Sequence, residues 1–116
     1  MHEASIMQNV FATAFEHMHQ AGAVRIQRLR LRVGALSGVV PDALTFAFEA
    51  LKTNTAAAEA ELEIDRVPAR LLCMGCLLDF DSDTCVDLCP RCGSWQTEVR
   101  QGRELELTHL ELSTEE

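Results

Sequence analysis

Two pairs of cysteines constrain the fold of this chain more than any other feature. Cys73 and Cys76 form one Cys-x-x-Cys pair, and Cys89 and Cys92 form a second pair twelve residues further on. A two-residue gap lets one tight turn direct two thiolates at one ion, and two such turns supply the four tetrahedral sulfur ligands of a structural zinc site. The spacing therefore predicts a closed zinc site that organises structure and has no open position for chemistry.

The length and apolar content of the chain allow a core of ordinary size together with a small metal-held module. The chain has 116 residues, and 47% of them are hydrophobic, which is enough for a packed core. Residues 1–7 lack a basic stretch followed by a long apolar run, so we expect neither a signal peptide nor a membrane span. We therefore expect a reducing cytoplasmic location, where paired cysteines are more often metal ligands than disulfides. Cys85 fits neither pair and is interpreted as a free thiol.

The charge of the chain argues against nucleic-acid binding. The net charge is −8, and fourteen of the eighteen acidic residues lie in residues 59–116. Four of these acids lie between the cysteine pairs: Asp79, Asp81, Asp83 and Asp87. Since a zinc ion with four thiolates is itself a dianion, this module would repel phosphate.

Hydrophobic periodicity predicts two helices and three strands. Apolar residues between Ile6 and Met18 recur every three or four positions, which indicates a helix. A second helix is expected to begin at Pro41, which suits a first helical position, to bury Leu44, Phe48 and Leu51, and to end at residues 53–55. Alternation predicts strands over 24–33, 60–67 and 105–112, each with one slip in phase. The strand–helix–strand order of the first two favours a parallel, right-handed crossover.

The polar sides of these strands carry complementary charge. The first strand presents three arginines, and the other two present acids: Arg28, Arg30 and Arg32 against Glu61, Glu63, Asp65, Glu104, Glu106 and Glu111. Opposite charges on adjacent strands contribute about 0.2–1 kcal/mol per pair, so we expect the arginine strand between the two acidic ones. The predicted fold is α+β, with a three-stranded mixed sheet, two helices and an inserted zinc-ribbon-like module. The predicted domains are 1–69 with 101–116, and 70–100 inserted before the last strand.

The chain starts with a second candidate metal site. Its first three residues are Met1, His2 and Glu3. The terminal amine, backbone amides and the imidazole of His2 lie within a few bonds of one another, and such nitrogen sets suit Ni(II) or Cu(II). Glu3 could add an oxygen ligand or accept a hydrogen bond from the other imidazole nitrogen. Residue type alone favours an incidental histidine.

The remaining candidate residues have structural explanations. His17 and His19 are two apart on the predicted helix and do not share a face, so we expect both to be exposed. For His109 we expect a structural role, and for Asp42 a favourable position at a helix start. Trp95 is expected to pack into the core of the cysteine module. Since no nucleophile–base set, phosphate loop or carboxylate cleft is visible, we do not expect an enzyme.

Several segments together resemble the HypA/HybF family of hydrogenase nickel-incorporation proteins. They are the start Met1-His2-Glu3, the run 34–39, the segments 42–44 and 46–49, and the two cysteine pairs. The resemblance covers essentially the whole chain. It implies a nickel metallochaperone with a nickel domain and a zinc domain. It further implies His2 as the nickel ligand with Glu3 beside it, and Cys73, Cys76, Cys89 and Cys92 as the zinc ligands.

The resemblance also implies partners: a nickel-handling GTPase of the maturation pathway and the large subunit of a [NiFe] hydrogenase. Membrane and nucleic-acid partners are not expected, and the oligomeric state stays open between monomer and homodimer. Two other functions are compatible with the residues. One is an interaction adaptor built on a zinc ribbon, with His2 incidental. The other is a rubredoxin-like electron carrier, because four thiolates also hold iron.

Overall fold

The chain forms two three-stranded sheets, and two helices cover the first of them. The computed structural model describes residues 3–82 and 88–115. Its elements in chain order are α1 (Glu3–Gln20), β1 (Arg25–Gly34), α2 (Pro41–Lys52), β2 (Glu61–Val67), β3 (Ala69–Cys73), β4 (Asp79–Ser82), β5 (Thr97–Gln101) and β6 (Leu105–Ser113). We call the sheet with strand order β2-β1-β6 the helix-covered sheet and the sheet with order β4-β3-β5 the cysteine sheet. This architecture confirms the predicted α+β fold.

The core lies between the two helices and one face of the helix-covered sheet. Both predicted helical stripes face this core, with Ile6, Val10, Phe15 and Leu51 only partly buried. The buried side chains are Met7, Phe11, Ala14 and Met18 of α1, Ile26, Leu29, Leu31 and Val33 of β1, and Leu44, Ala47 and Phe48 of α2. The ring of Phe11 stacks on Phe15 and on Phe48, with centroids 5.6 and 5.5 Å apart. This stack joins the two helices over the sheet.

The helix ends follow from local sequence. Gly22 has a φ of +68°, its amide donates to the carbonyl of His19, and the next amide, of Ala23, donates to the carbonyl of Met18. This is the Schellman arrangement, which needs a left-handed residue after the helix. Pro41 begins α2 and Asp42 lies in its first turn, where the helix dipole favours an acid. Within 3–82 and 88–115, neither helix is both long and apolar enough to cross a membrane.

The arginine strand is the central strand of the helix-covered sheet, as predicted. β1 pairs in parallel with β2 and antiparallel with β6, so the sheet is mixed. Arg28 and Arg30 both reach Glu63, at 2.8 and 2.9 Å. Arg32 lies between Asp65 at 3.6 Å and Glu106 at 3.8 Å. These pairs cover the face of the sheet opposite the helices.

Two of the three predicted slips in phase are confirmed, and the third is wrong. The β1–β6 register shifts between Ile26 and Arg28 and again opposite Thr108, which is the extra residue on β6. The β1–β2 register runs without interruption from Glu61 to Val67. Val67 is apolar for a different reason: it ends β2 and lines a cavity under the loop that follows β1. Its hydrophobicity therefore did not mark a bulge.

The cysteine sheet joins the helix-covered sheet at a tight contact. β3 and β5 are antiparallel, with Arg70 opposite Gln101, so the entry and exit of the insertion lie side by side. The carbonyl of Gly102 accepts a 2.6 Å hydrogen bond from the amide of Leu36. A Cβ on Gly34 would overlap the carbonyl of Gly102. Glycine at position 34 is therefore required for this close approach.

Glu63 offers a test of the charge pairing across β1. The hydrogen bond from Arg30, together with the charge of Arg28, holds the pKa of Glu63 below its ordinary value of 4.5. A carboxyl whose pKa is lower in the folded chain stabilises the fold above its unfolded pKa and loses that contribution as the pH falls through the folded pKa. We expect Glu63→Gln to lower the free energy of unfolding at neutral pH and to flatten its decline below pH 4.5.

Urea unfolding at several pH values measures both effects. Glu59→Gln is the matched control, because Glu59 is exposed in the segment before β2. If Glu63→Gln and Glu59→Gln keep the same acid slope as the natural chain, the pairing with Arg30 does not contribute to stability.

Candidate metal centre

The two cysteine pairs lie in two turns with the same hydrogen-bond pattern. In each turn the carbonyl of the first cysteine accepts a 2.9 Å hydrogen bond from the amide four residues later, which belongs to Leu77 and to Gly93. The amide of the first cysteine donates to the carbonyl five residues later, at 2.8 Å from Cys73 and 2.9 Å from Cys89. The equal spacing of the two motifs therefore builds two equivalent turns.

Both turns contain a left-handed residue at the same position. The φ angles are +74° at Gly93 and +64° at Leu77. Glycine adopts this conformation freely, whereas it costs a leucine free energy. The surrounding structure must therefore hold Leu77 in this conformation. Ligation of the Cys73 and Cys76 thiolates of the same turn by one ion would restrain the turn in this way.

The four sulfur atoms converge on one point. The Sγ atoms of Cys73 and Cys92 are 3.5 Å apart, and those of Cys76 and Cys89 are 3.6 Å apart. All four lie within 4.8 Å of one another. Sulfurs around a tetrahedral zinc ion at about 2.3 Å are about 3.8 Å apart, whereas a disulfide needs about 2.0 Å. The arrangement fits a closed four-sulfur zinc site and excludes disulfides between these residues.

The surroundings of this cluster favour the thiolate at two cysteines and oppose it at a third. A hydrogen bond from Arg91 is the main cause that lowers the pKa of Cys76 to about 6. The amide of Cys76 likewise lowers the pKa of Cys73. At Cys92 the amide of Ser94 favours the thiolate, but the neighbouring sulfur of Cys73 and burial outweigh it and raise the pKa to about 11. Like charges so close together cannot all ionise without a compensating ion, which zinc supplies when it is bound.

Arg91 is a functional residue that the sequence analysis missed. Its Nη2 donates to the carbonyl of Cys76 at 2.9 Å, and so it joins the second turn to the first. The neighbouring thiolates in turn raise the pKa of the Arg91 guanidinium. Its position between Cys89 and Cys92 could have indicated this role, because a positively charged side chain there lies beside the negative charge of a zinc ion with four thiolates.

Large apolar side chains are exposed around the cysteine cluster. They are Met74, Leu77, Leu88 and Trp95, with exposed fractions of 53, 70, 52 and 76%. The expectation that Trp95 packs into the core of the module is therefore wrong. Trp95 lies between the second turn and β5, and its indole is on the surface of the module there.

The structure describes only part of the candidate nickel site. Met1 and His2, the other two residues of this site, lie outside the described residues. So does Cys85, the cysteine that belongs to neither pair. Glu3 is the first residue of α1, is half-buried, and its Oε2 accepts a hydrogen bond from the amide of Val40 at 3.4 Å. The start of α1 therefore contacts the residue directly before α2, and Asp42 in the first turn of α2 is exposed.

The other histidines do not form a metal cluster. His17 and His19 are exposed, as predicted. His109 lies next to the bulge of β6, and its Nε2 is 3.3 Å from Glu111. Within residues 3–82 and 88–115, the four cysteines are the only group of three or more histidines, cysteines or acids whose ligand atoms could share an ion.

The chain matches a known protein family over almost its whole length. The family described as "Hydrogenase/urease nickel incorporation, metallochaperone, hypA" matches residues 1–112. The chain belongs to the HypA family. The HypA hydrogenase maturation factor of Geobacter sulfurreducens is 44% identical over 112 residues, which cover 97% of this chain and 99% of that protein. The HypA maturation factor of a Picosynechococcus species is 40% identical with the same coverage.

Solved structures of HypA proteins share the fold. The solution structure of the nickel metallochaperone HypA from Helicobacter pylori superposes with a TM-score of 0.68 at 27% identity, over 99% of this chain and 100% of that one. A second HypA solution structure gives 0.69 at 28% identity. The HypA relatives are named as maturation factors and metallochaperones, not as enzymes. The predicted family and fold are thus confirmed, and the four-cysteine group is consistent with the predicted structural zinc.

Zinc loading tests the cysteine cluster directly. We expect one zinc ion per natural chain, and loss of that ion in Cys92→Ser, because three thiolates no longer complete a closed site. Cys85→Ser is the matched control and should keep its zinc. Native mass spectrometry and elemental analysis measure the metal content. Equal zinc in the two variants would contradict the assignment of Cys92 as a ligand.

Proposed function

We propose that this protein carries Ni(II) to an immature [NiFe] hydrogenase and holds it through its first residues. The imidazole of His2 and the terminal amine of Met1, with backbone amides between them, form the nickel site, and Glu3 contributes an oxygen ligand or orients the imidazole. The observation that supports this most strongly is the match of the HypA family to residues 1–112, a range that includes this start. The nitrogen-rich donor set agrees with the preference of Ni(II).

The position of Glu3 supports this site. Its carboxylate accepts a 3.4 Å hydrogen bond from the amide of Val40, so the residue that follows His2 lies beside the region where α2 begins. Residues 1 and 2 directly precede Glu3. Transfer of nickel requires that ligands of the partner replace those of the carrier one by one, and a site at the end of a chain can be approached for such exchange.

We further propose that zinc and nickel occupy separate domains. Residues 1–69 with 101–116 form the nickel-binding domain, and residues 70–100 form the zinc-binding domain. The cysteine sheet supports this division, because its strands pair with one another and the helix-covered sheet has its own core. Zinc in a site closed by four thiolates keeps the inserted domain folded and does not take part in delivery.

The partners proposed for this protein are a nickel-handling GTPase of the maturation pathway and the hydrogenase large subunit, and the proposed location is the cytoplasm. A homodimer remains compatible with the proposal. The description of the family also names urease. Delivery of nickel to urease would use the same ligands of residues 1–3.

An adaptor function without nickel is the second candidate. The apolar side chains exposed around the cysteine cluster favour it, among them Trp95 and Leu77. Exposed aromatic and aliphatic residues of this kind are typical of protein contact surfaces. The two functions differ in what they require of His2, because only a nickel carrier needs its imidazole as a ligand.

Nickel titration of His2→Ala separates these functions. We expect the variant to bind Ni(II) at least about tenfold more weakly than the natural chain, a loss of about 1.4 kcal/mol or more, because an imidazole ligand is removed. Affinity of the natural chain should fall as the pH drops through about 6.5, where imidazole is protonated. Isothermal titration calorimetry on zinc-loaded protein measures both effects.

The control variant is His19→Ala, which removes an exposed imidazole elsewhere on α1 and should leave nickel binding unchanged. A glycine added before Met1 displaces the amine and should weaken binding like His2→Ala. Equal nickel affinity in the natural chain and in His2→Ala would remove the proposed ligand and favour the adaptor.

A further inference from the structure

The strand β6 forms one open edge of the helix-covered sheet. In the order β2-β1-β6, one side of β6 pairs with β1. Among the described residues, no strand pairs with its other side. An edge strand presents unpaired amides and carbonyls to any extended segment that approaches it.

A groove runs along this edge between β6 and α1. A cavity of about 390 Å³ is lined by Ile6, Asn9, Val10, Thr13, Leu31, Leu105, Glu106 and Leu107. A second cavity, of about 230 Å³, shares Leu107 with it and is lined also by His17, Thr108, His109 and Leu110. The α1 residues are spaced three or four apart, so they form one stripe along the helix. From Ile6 to His17 this stripe is about 16 Å long, which equals about five residues of extended chain.

The leucines that β6 contributes to the wall of the groove are incompletely covered. The leucines on the helix side of β6 are only half-buried: Leu105, Leu107, Leu110 and Leu112. The corresponding residues of the neighbouring strand, such as Leu29 and Leu31, are fully buried. Apolar side chains of an added strand would remove the remaining β6 surface from water, which is favourable.

The opposite face of the same edge is acidic. Among the described strands of this sheet, five carboxylates share three arginines in salt bridges. Those on β6 have the longer contacts: Glu106 is 3.8 Å from Arg32, and Glu111 is 3.7 Å from Arg28. The side chains of these two acids remain 54% and 44% exposed. Basic side chains on a strand beyond β6 would pair with them, as the arginines of β1 do on the other side.

We propose that the β6 edge binds an extended segment of a partner protein in which apolar residues alternate with lysine or arginine. The apolar residues enter the groove beside α1, a basic residue lies over Glu106, and the backbone pairs with residues 105–107 of β6. Such strand addition gains affinity from main-chain hydrogen bonds and specificity from alternate side chains. The extra residue Thr108 interrupts the ladder, so the site suits a short segment centred on residues 105–107.

A second copy of this chain is a poor occupant of the same edge. If β6 paired with β6 of another molecule and the leucines stayed on the helix side, Glu106 and Glu111 of both copies would share one face. Like charges on adjacent strands are destabilising. The bulge and the acids therefore oppose self-pairing while they leave a basic partner favoured.

The sequence of β1 provides a suitable probe, because β6 already pairs with it. The probe is an acetylated, amidated peptide with the sequence of residues 27–34, Gln-Arg-Leu-Arg-Leu-Arg-Val-Gly. The control peptide has the same eight residues with the three arginines adjacent to one another. Titration of each peptide into ¹⁵N-labelled, zinc-loaded full-length protein gives the affinity and maps the contact by amide chemical shifts.

We expect the alternating peptide to bind at least about tenfold more tightly than the control peptide, with shifts in residues 105–107 and in the α1 stripe. Glu106→Lys should weaken binding, whereas Glu59→Lys, with the same charge change at an exposed site before β2, should not. His2→Ala should bind the peptide normally, which separates this inference from the nickel proposal.

Three results would overturn the inference. Equal affinity for the two peptides would show that binding depends on charge attraction alone and not on the alternating pattern. Shifts confined to residues 61–67 would assign binding to the β2 edge instead. A concentration-dependent dimer that Glu106→Lys alters and that blocks the peptide, seen by analytical ultracentrifugation, would make a second copy the occupant.

Discussion

The whole structure depends on one closure: the chain leaves the helix-covered sheet after β2 and must return to it as β6, on the far side of β1. The intervening residues can only be ordered if their two ends meet, and closing a long loop costs conformational entropy. Antiparallel pairing of β3 with β5 brings Arg70 opposite Gln101 and so joins the ends. Four converging sulfurs hold the opposite end of the same insertion. Zinc in this site therefore supports the sheet that β6 completes, as well as its own module.

The close contact at Gly34 and Gly102 places the base of the insertion against the loop after β1. The same loop continues to Val40, whose amide holds Glu3. A short series of contacts, the last of which uses the Glu3 side chain, therefore connects the cysteine sheet to the start of α1. We propose that the cysteines keep one ion while residues 1–3 exchange another.

Residue pattern alone predicted the features that depend on short-range spacing or on charge. The helical stripes, the central arginine strand and the clustering of the four cysteines belong to this group, because residue spacing and the sign of the charges can be read directly from the sequence. Features set by three-dimensional surroundings were missed. The exposure of Trp95 depends on where the chain runs after the second turn, and the contact of Arg91 with the first turn joins residues fifteen apart. The predicted bulge before Val67 was wrong because an apolar residue that ends a strand gives the same sequence pattern as an apolar residue that a bulge turns toward the core.

The most direct test of two separate donor sets is stepwise metal removal from protein loaded with both ions. A chelator is added in increasing amounts, and bound nickel and zinc are counted by native mass spectrometry while amide signals of residues 69–101 are followed. We expect all nickel to leave first, with zinc content and those signals unchanged. Loss of zinc in step with nickel, or nickel that stays until the cysteines release their zinc, would contradict two separate donor sets.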